Sequence, residues 1–184
     1  DDGNQDTAVT MSVVDASSND YFDSVSDQAV TVTTVDDDTS GFSLSKTTAS
    51  VTEAGSTDTF TVVLDTQPAS EVVFTVASAD TGEATVSAST LTFTNANWST
   101  PQTVTVTGVD DSVDDGNQNT MVTIAVDDDN SDNTFDGLAD QTVTATTTDD
   151  DTAAFTLSKT TVSVSEAGST DTFTVVLDTQ PASN

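Results

Sequence analysis

The sequence predicts an all-β fold made of tandem β-sandwich repeats. Two observations lead to this prediction: apolar residues alternate with Thr and Ser along the chain, and one segment occurs twice. Residues 159–183 repeat residues 46–70 with two substitutions, and the opening DDGNQDT recurs as DDGNQNT in residues 114–120. Both pairs are 113 residues apart (159 − 46 and 114 − 1). The chain is therefore a window on an array whose period is one small domain.

Each predicted strand carries its large apolar residues at every second position, which places them on one face of a sheet. The predicted strands are a short edge at residues 42–51 and then residues 59–64, 72–76, 83–87, 91–93, 104–106, 122–126 and 142–148. Turn residues separate them, and no window has the spacing of a helix. About seven strands in one period are typical of an immunoglobulin-like sandwich, so we expect tandem immunoglobulin-like β-sandwich repeats.

The runs of Asp at residues 36–38 and 149–151 are interpreted as the joints between repeats. Each run follows a Thr-rich strand and precedes a new apolar start, at Phe42 or Phe155. We therefore place one complete repeat at residues 38–150. Residues 1–37 are then the C-terminal part of a preceding repeat, and residues 151–184 are the N-terminal part of a following one.

The charge balance excludes several classes of function. The chain has 32 acidic residues, two basic ones and a formal net charge of −30. Binding of nucleic acid requires clustered Lys and Arg, so no nucleic-acid partner is expected. The chain lacks Cys and His, which removes thiol chemistry, zinc fingers and histidine-based catalysis. No apolar stretch is long enough for membrane insertion in this window, and we expect no enzyme.

Several motifs resemble Calx-beta-type repeats, which occur in cadherin-like surface proteins and in giant bacterial adhesins of the repeats-in-toxin class. The motifs are SVTEAG at residues 50–55, the long segment STLTFTNANWSTPQTVTVTGVDD at residues 89–111 and TTTDDD at residues 146–151. The resemblance implies calcium binding at one end of the sandwich. The ligands in such repeats are an early Glu, an acid before the middle strands, an acidic loop and the Asp residues at the C-terminal boundary.

The resemblance assigns these ligand roles to particular acids of this chain. Glu83 stands where the family usually has the Asp of a GSDY motif, which this sequence lacks. In the complete repeat the candidate calcium ligands are Glu53, Glu83, Asp110, Asp111, Asp114, Asp115, Asp149, Asp150 and Asp151. In the flanking parts they are Asp1, Asp2, Asp36, Asp37, Asp38 and Glu166.

Elementary electrostatics also favours a cation at these acid runs. Two carboxylates about 4 Å apart repel by about 1 kcal/mol in water and by about 4 kcal/mol at an effective dielectric constant of 20. Calcium takes six to eight hard oxygen ligands and would relieve this repulsion. The alternative is that the acid runs are solvated loops. A further acidic loop at residues 127–137 departs from the EF-hand spacing, and a polar hairpin is the competing interpretation.

The leading functional hypothesis is a structural extender. It would be a stalk repeat of a secreted or cell-surface bacterial adhesin or extracellular fibre, stiffened by Ca²⁺ at the joints. Its partners would be neighbouring repeats of the same chain and, in a fibre, like chains. A glycan- or ice-binding module is one alternative, in which Trp98 or the Thr-rich faces make the contact. A self-assembling matrix or surface-layer protein is the other.

Overall fold

The computed structural model describes residues 2–181 and places thirteen strands within them. Two short 3₁₀ turns, Asp15–Ser17 and Asp128–Asn130, are the helical elements of this part of the chain. The strands are β1 Gln5–Met11, β2 Gln28–Thr34, β3 Phe42–Leu44, β4 Thr48–Thr52, β5 Thr57–Leu64, β6 Val72–Ser78, β7 Ala84–Val86, β8 Thr90–Phe93, β9 Gln102–Gly108, β10 Gln118–Val126, β11 Gln141–Thr148, β12 Phe155–Leu157 and β13 Val175–Leu177.

Strands β3 to β11 form a two-layer sandwich within residues 38–150. One sheet has the order β4-β11-β10-β6-β8 and the other has the order β3-β5-β9-β7. All pairings are antiparallel except that of β4 with β11. The predicted all-β sandwich is confirmed. The eight predicted segments become nine strands, because the predicted edge at residues 42–51 divides into β3 and β4, which join different sheets.

The core lies between the two sheets and uses the alternating residues of the sequence. Phe60 and Val104 of one sheet face Phe74, Phe93 and Ile124 of the other, and all are buried. The rings of Phe74 and Phe93 meet edge to face with centroids 5.9 Å apart, which is a favoured aromatic arrangement. Every buried residue of the described chain lies between positions 42 and 147. The sandwich therefore contains its own complete core.

Two hairpins flank the sandwich and repeat pairings found inside it. The pairing of β1 with β2 begins at Gln5 and Thr34, and the pairing of β10 with β11 begins at Gln118 and Thr147, each 113 residues later. Strands β12 and β13 repeat the pairing of β3 with β5 in the same way. The face of β1 that corresponds to the inner face of β10 is more exposed. Val9 of β1 is 50% exposed, whereas its counterpart Val122 of β10 is fully buried.

Candidate metal centre

The strand directions bring the predicted acids to one end of the sandwich. Strands β4, β9 and β11 end there, and β7 and β10 begin there, as the pairings of Thr52 with Thr148 and of Ala84 with Gly108 require. Two groups of three acids converge at this end. The first group, cluster 1, is Glu53, Asp149 and Asp151, and the second, cluster 2, is Glu83, Asp111 and Asp115. Within each group, one carboxylate oxygen of each residue lies within 4.8 Å of the others.

Cluster 1 is built by extension of the parallel pairing between β4 and β11. The backbone N–H of Glu53 donates to the carbonyl of Thr148 at 3.1 Å, so Glu53 lies beside the residue that follows β11. Only 1% of Glu53 is exposed. A carboxylate this buried requires hydrogen bonds or a positive charge. The backbone N–H of Asp150 donates to Oε2 of Glu53 over a long distance of 3.4 Å.

The turn after β11 decides which carboxylates of the Asp run point into cluster 1. One oxygen of Asp149 accepts from the N–H of Gly116 at 2.7 Å, and the other accepts from the N–H of Asp151 at 2.8 Å. This local ring of hydrogen bonds folds the chain so that Asp149 and Asp151 converge on Glu53. Asp150, between them, contributes its backbone N–H instead.

Cluster 2 joins the start of β7 to the loop between β9 and β10. The carbonyl of Glu83 accepts from the N–H of Val109 at 2.9 Å and from the hydroxyl of Thr147 at 3.1 Å. These bonds fix the backbone of Glu83 between the two sheets. In the loop, Asp111 accepts from the N–H of Val113 at 2.7 Å, which is the local turn that Asp commonly makes.

Gly108 at the end of β9 allows the two sheets to approach each other at this end. A Cβ atom at position 108 would lie 2.1 Å from the carbonyl oxygen of Thr52. No side chain fits in that space, so the position requires glycine for close backbone approach. Gly108 was not among the predicted site residues, although a Gly at the end of an alternating strand is a signal of close backbone approach.

The electrostatics of both clusters favour an added positive charge. Burial, followed by the charges of Asp149, Asp111 and Glu83, raises the pKa of Glu53 to about 7. Burial and the neighbouring acids also raise the pKa of Glu83 and that of Asp151. Among the described residues, Oε2 of Glu83 and Oδ2 of Asp151 are buried oxygens that lack a hydrogen-bond partner.

The chain has no basic residue available to compensate these acids. Its two basic side chains are Lys46 and Lys159, and each is paired elsewhere. Lys46 donates to Asp58, and Lys159 donates to Asp171, its counterpart in the following unit. These hydrogen bonds hold the pKa of each Asp below its usual range. Neutralisation of the acidic end therefore has to come from the solution, as protons, a bound cation or diffuse counterions.

The raised pKa of Glu53 predicts a pH dependence of the metal-free protein. In the presence of chelator, folded Glu53 binds its proton more tightly than an unfolded Glu of pKa 4.5 does. The resulting stabilisation is complete below pH 4.5 and is lost as the pH rises through about 7. We therefore expect the urea midpoint to fall between pH 5 and pH 8, and to fall less in the Glu53→Gln variant. Equal slopes in the two proteins would show that Glu53 does not titrate in this way.

The other predicted ligands of the complete repeat lie outside both clusters. Asp110 and Asp150 line an open hollow beside Glu53. Asp114 directs one carboxylate oxygen to the backbone N–H of Ala153, at 2.7 Å, in the following unit. The Asp pair at positions 110 and 111 is therefore divided, with only Asp111 in a cluster.

The acids of the flanking units occupy the corresponding positions. Asp36 repeats the role of Asp149, because its two oxygens accept from the backbone N–H groups of Asp2, Gly3 and Asp38. Asp2, Asp37 and Asp38 are exposed, and so is Glu166, the counterpart of Glu53. Asp1 lies outside the described residues.

Two sites considered as alternatives have structural roles. In the loop at residues 127–137, Asp132 is buried and accepts from the backbone N–H groups of Ser70 and Thr134. These bonds outweigh the effect of burial and lower the pKa of Asp132. No residue of cluster 1 or cluster 2 lies in this loop. The sequence analysis did not single out Asp132. Trp98 is half-buried and packs against the core, consistent with a plug at the other end of the sandwich.

The comparisons with known proteins found only distant structural likenesses. No protein-family model and no curated protein matches the sequence. Three of the solved structures that match illustrate the level of similarity. SSP-19 of Caenorhabditis elegans, an MSP-domain-like protein, has 16% identity and a TM-score of 0.40 over 57% of this chain and 97% of that one. The Escherichia coli chaperone DraB has 8% identity and a TM-score of 0.45 over 61% and 57%. Domains 4 and 5 of the S-layer protein SbsC have 24% identity and a TM-score of 0.41 over 66% and 59%.

These structural likenesses are too distant to indicate a function, which must be argued from the residues of the chain. Among the described residues, no helix is long and apolar enough to cross a membrane.

Proposed function

We propose that the chain is a segment of an extracellular stalk, in which β-sandwich repeats are held in line by calcium at the joints. The observation that carries the proposal is the pair of acid clusters at the end from which the chain passes to the next unit. Asp149 and Asp151 end one sandwich, and β12 of the following unit begins at Phe155. A cation bound by these acids would therefore act on the connection between the two units.

The donor set of both clusters fits calcium. Calcium prefers carboxylate and carbonyl oxygens at about 2.3–2.6 Å, so two oxygens on opposite sides of one ion are about 5 Å apart. The converging oxygens of each cluster lie within 4.8 Å of one another, which allows three acids to share an ion. The unpartnered oxygens of Glu83 and Asp151 are available ligands. Backbone carbonyls and water would complete the coordination.

A bound ion would supply positive charge to carboxylates that range from buried, at Glu53, to exposed, at Asp111 and Asp115. The residues of the chain provide the rest: Gly108 allows the sheets to approach, and the ring of hydrogen bonds around Asp149 orients the Asp run. With the carboxylates neutralised, the residues 149–154 that connect the units would lose their mutual repulsion and become ordered. The connection would then transmit bending force from one sandwich to the next.

The resemblance to Calx-beta-type repeats of bacterial adhesins supports the same proposal and suggests a cell-surface location. Residues 46–70 and 159–183 are nearly identical. This near-identity fits a stalk, because each repeat of a stalk has the same role, which is to add length. An enzyme would need a site peculiar to one copy.

The alternative binding functions have less support from the geometry. Trp98 packs against the core, which leaves little of its ring for stacking on a sugar. The outer face of the four-stranded sheet carries the cross-strand pairs Thr57 with Thr107, Thr59 with Thr105 and Thr61 with Thr103. Thr is favoured on strands because its β-branched side chain packs well on a pleated surface and against its cross-strand neighbours, so these pairs need no ligand to explain them.

Small-angle X-ray scattering of a polypeptide of several repeats tests the proposed stalk. With millimolar calcium we expect an extended particle, and with chelator a shorter and more variable one. Sodium chloride screens the same carboxylates without occupying a specific site. If sodium chloride at matched ionic strength restores the extended form as well as calcium does, diffuse charge sets the shape and the calcium joint must be abandoned.

A further inference from the structure

The loop between β9 and β10 reaches across to the following unit with its central residues. The backbone N–H of Gln180 donates to the carbonyl of Ser112 at 2.7 Å, and Val113 and Gln180 form a parallel β-bridge. Next to this bridge, the carboxylate of Asp114 accepts from the N–H of Ala153 at 2.7 Å. These contacts join two units that are otherwise linked by residues 149–154.

The same loop therefore has two faces with different roles. Asp111 and Asp115 converge with Glu83 in cluster 2, whereas the three residues between them contact the following unit. Two internal bonds hold the loop in this shape: Val113 donates to the side chain of Asp111, and Asp115 donates to the carbonyl of Val113 at 2.9 Å. The acid cluster and the contact surface are thus parts of one short rigid turn.

The corresponding elements also meet at the first joint of the chain. Asp2 of the preceding unit, the counterpart of Asp115, lines a crevice with Gln67 and Pro68 of the complete repeat. At the second joint, Asp114 lines a crevice with Gln180 and Pro181, the residues 113 positions after Gln67 and Pro68. The acidic loop of one unit and the DTQPA turn of the next are therefore neighbours at both joints of the described chain.

We propose that the segment Ser112–Val113–Asp114 is the docking surface by which each repeat holds the next one. Its partner is the turn containing Gln180 together with the backbone of Ala153 at the start of the following unit. This inference rests on the proposed stalk function, since docking of repeats matters only where repeats follow one another. The docking contacts are hydrogen bonds between protein groups and need no cation. The loop recognises mainly the backbone of its partner, so substitutions in the partner's side chains leave the contact in place. The two elements lie at opposite ends of a repeat, which fixes a head-to-tail order.

The test uses a two-repeat polypeptide with the natural junction, residues 38–183 followed by residues 71–150. Both sandwiches are then complete, and the complete repeat contains its own core. Because the chain lacks Cys, spin labels can be attached to cysteines placed at the exposed positions Thr90 and Thr160, one on each repeat. Double electron–electron resonance then measures the spread of the distance between them.

The two variants at Asp114 separate a hydrogen bond from a charge effect. Asp114→Ala removes the acceptor for Ala153, and we expect the population of undocked joints to rise about tenfold, as for loss of a charge-assisted hydrogen bond. Asp114→Asn removes the charge but keeps an acceptor oxygen, so its distribution is expected to lie between that of the parent and that of Asp114→Ala. A distribution for Asp114→Ala as narrow as the parent's, or equal broadening in both variants, would overturn the proposed docking contact.

Measurements with calcium and with chelator distinguish this proposal from the calcium joint. If the parent distribution is the same in both solutions while Asp114→Ala still broadens it, the docking surface stands and the calcium joint fails. If calcium narrows the distribution of the parent and of Asp114→Ala to the same width, the docking contact is refuted and the calcium joint stands.

Discussion

Saturating calcium is expected to raise the free energy of unfolding of the complete repeat by several kcal/mol. Extracellular calcium modules bind with dissociation constants of about 10⁻⁴–10⁻³ M, and one site at one hundred times its dissociation constant adds about 2.7 kcal/mol. Clusters 1 and 2 together would add about twice that if they bind independently. Thermal and urea unfolding in chelator and in excess calcium would measure the gain. An unchanged melting temperature would falsify the calcium assignment.

Variants matched in charge show whether the calcium gain belongs to the clusters. Asp111→Asn with Asp115→Asn removes two acids from cluster 2, and Asp128→Asn with Asp129→Asn removes two from the loop at the opposite end. Both double variants change the net charge equally. In the cluster 2 variant, we expect the calcium-dependent gain in the free energy of unfolding to fall by the contribution of one site. In the variant of Asp128 and Asp129, we expect the full gain. Equal losses would indicate diffuse attraction of calcium to an acidic protein.

The architecture followed from the sequence because alternation is a local property of each strand. Phe60, Val62 and Leu64 were predicted on one face and are all buried. Alternation does not indicate which sheet a strand joins, so β3 and β4 were expected as a single edge. Their separation depends on pairing with distant strands, β3 with β5 and β4 with β11, and no local pattern carries that information.

The acidic end of the sandwich was predictable from the sequence, but the selection of its acids was not. Runs such as residues 149–151 contain adjacent carboxylates that the sequence cannot rank. The structure ranks them through backbone hydrogen bonds, which direct Asp149 and Asp151 inward and leave Asp150 to donate its N–H. The role of Asp114 at the joint was missed for the same reason, because its partner, Ala153, belongs to another unit.

The substitution Phe60→Ala in the core is expected to lower the free energy of unfolding strongly while leaving the acidic end intact. Phe60 on β5 is 1% exposed and belongs to the core cluster that fills the space between the sheets. Truncation of a buried Phe to Ala typically costs about 3–5 kcal/mol, since it removes apolar contact and leaves a cavity. Such a loss is a large part of the stability of a small domain, so unfolding of Phe60→Ala is best measured in calcium.

The repeat supplies a matched control for this substitution. Phe173 is the counterpart of Phe60, 113 residues later in the same TDTFTVVLD sequence. In the polypeptide of residues 1–184, which contains only residues 151–184 of the following unit, Phe173 is 54% exposed, and both variants are therefore made in this polypeptide. If burial between the sheets is the cause, Phe60→Ala lowers the urea midpoint strongly and Phe173→Ala changes it little. Because Phe60 belongs to neither acid cluster, Phe60→Ala should still gain stability from calcium. Comparable losses in the two variants would mean that the residues after the joint stabilise the complete repeat, and that the sandwich of residues 38–150 is not an independent folding unit.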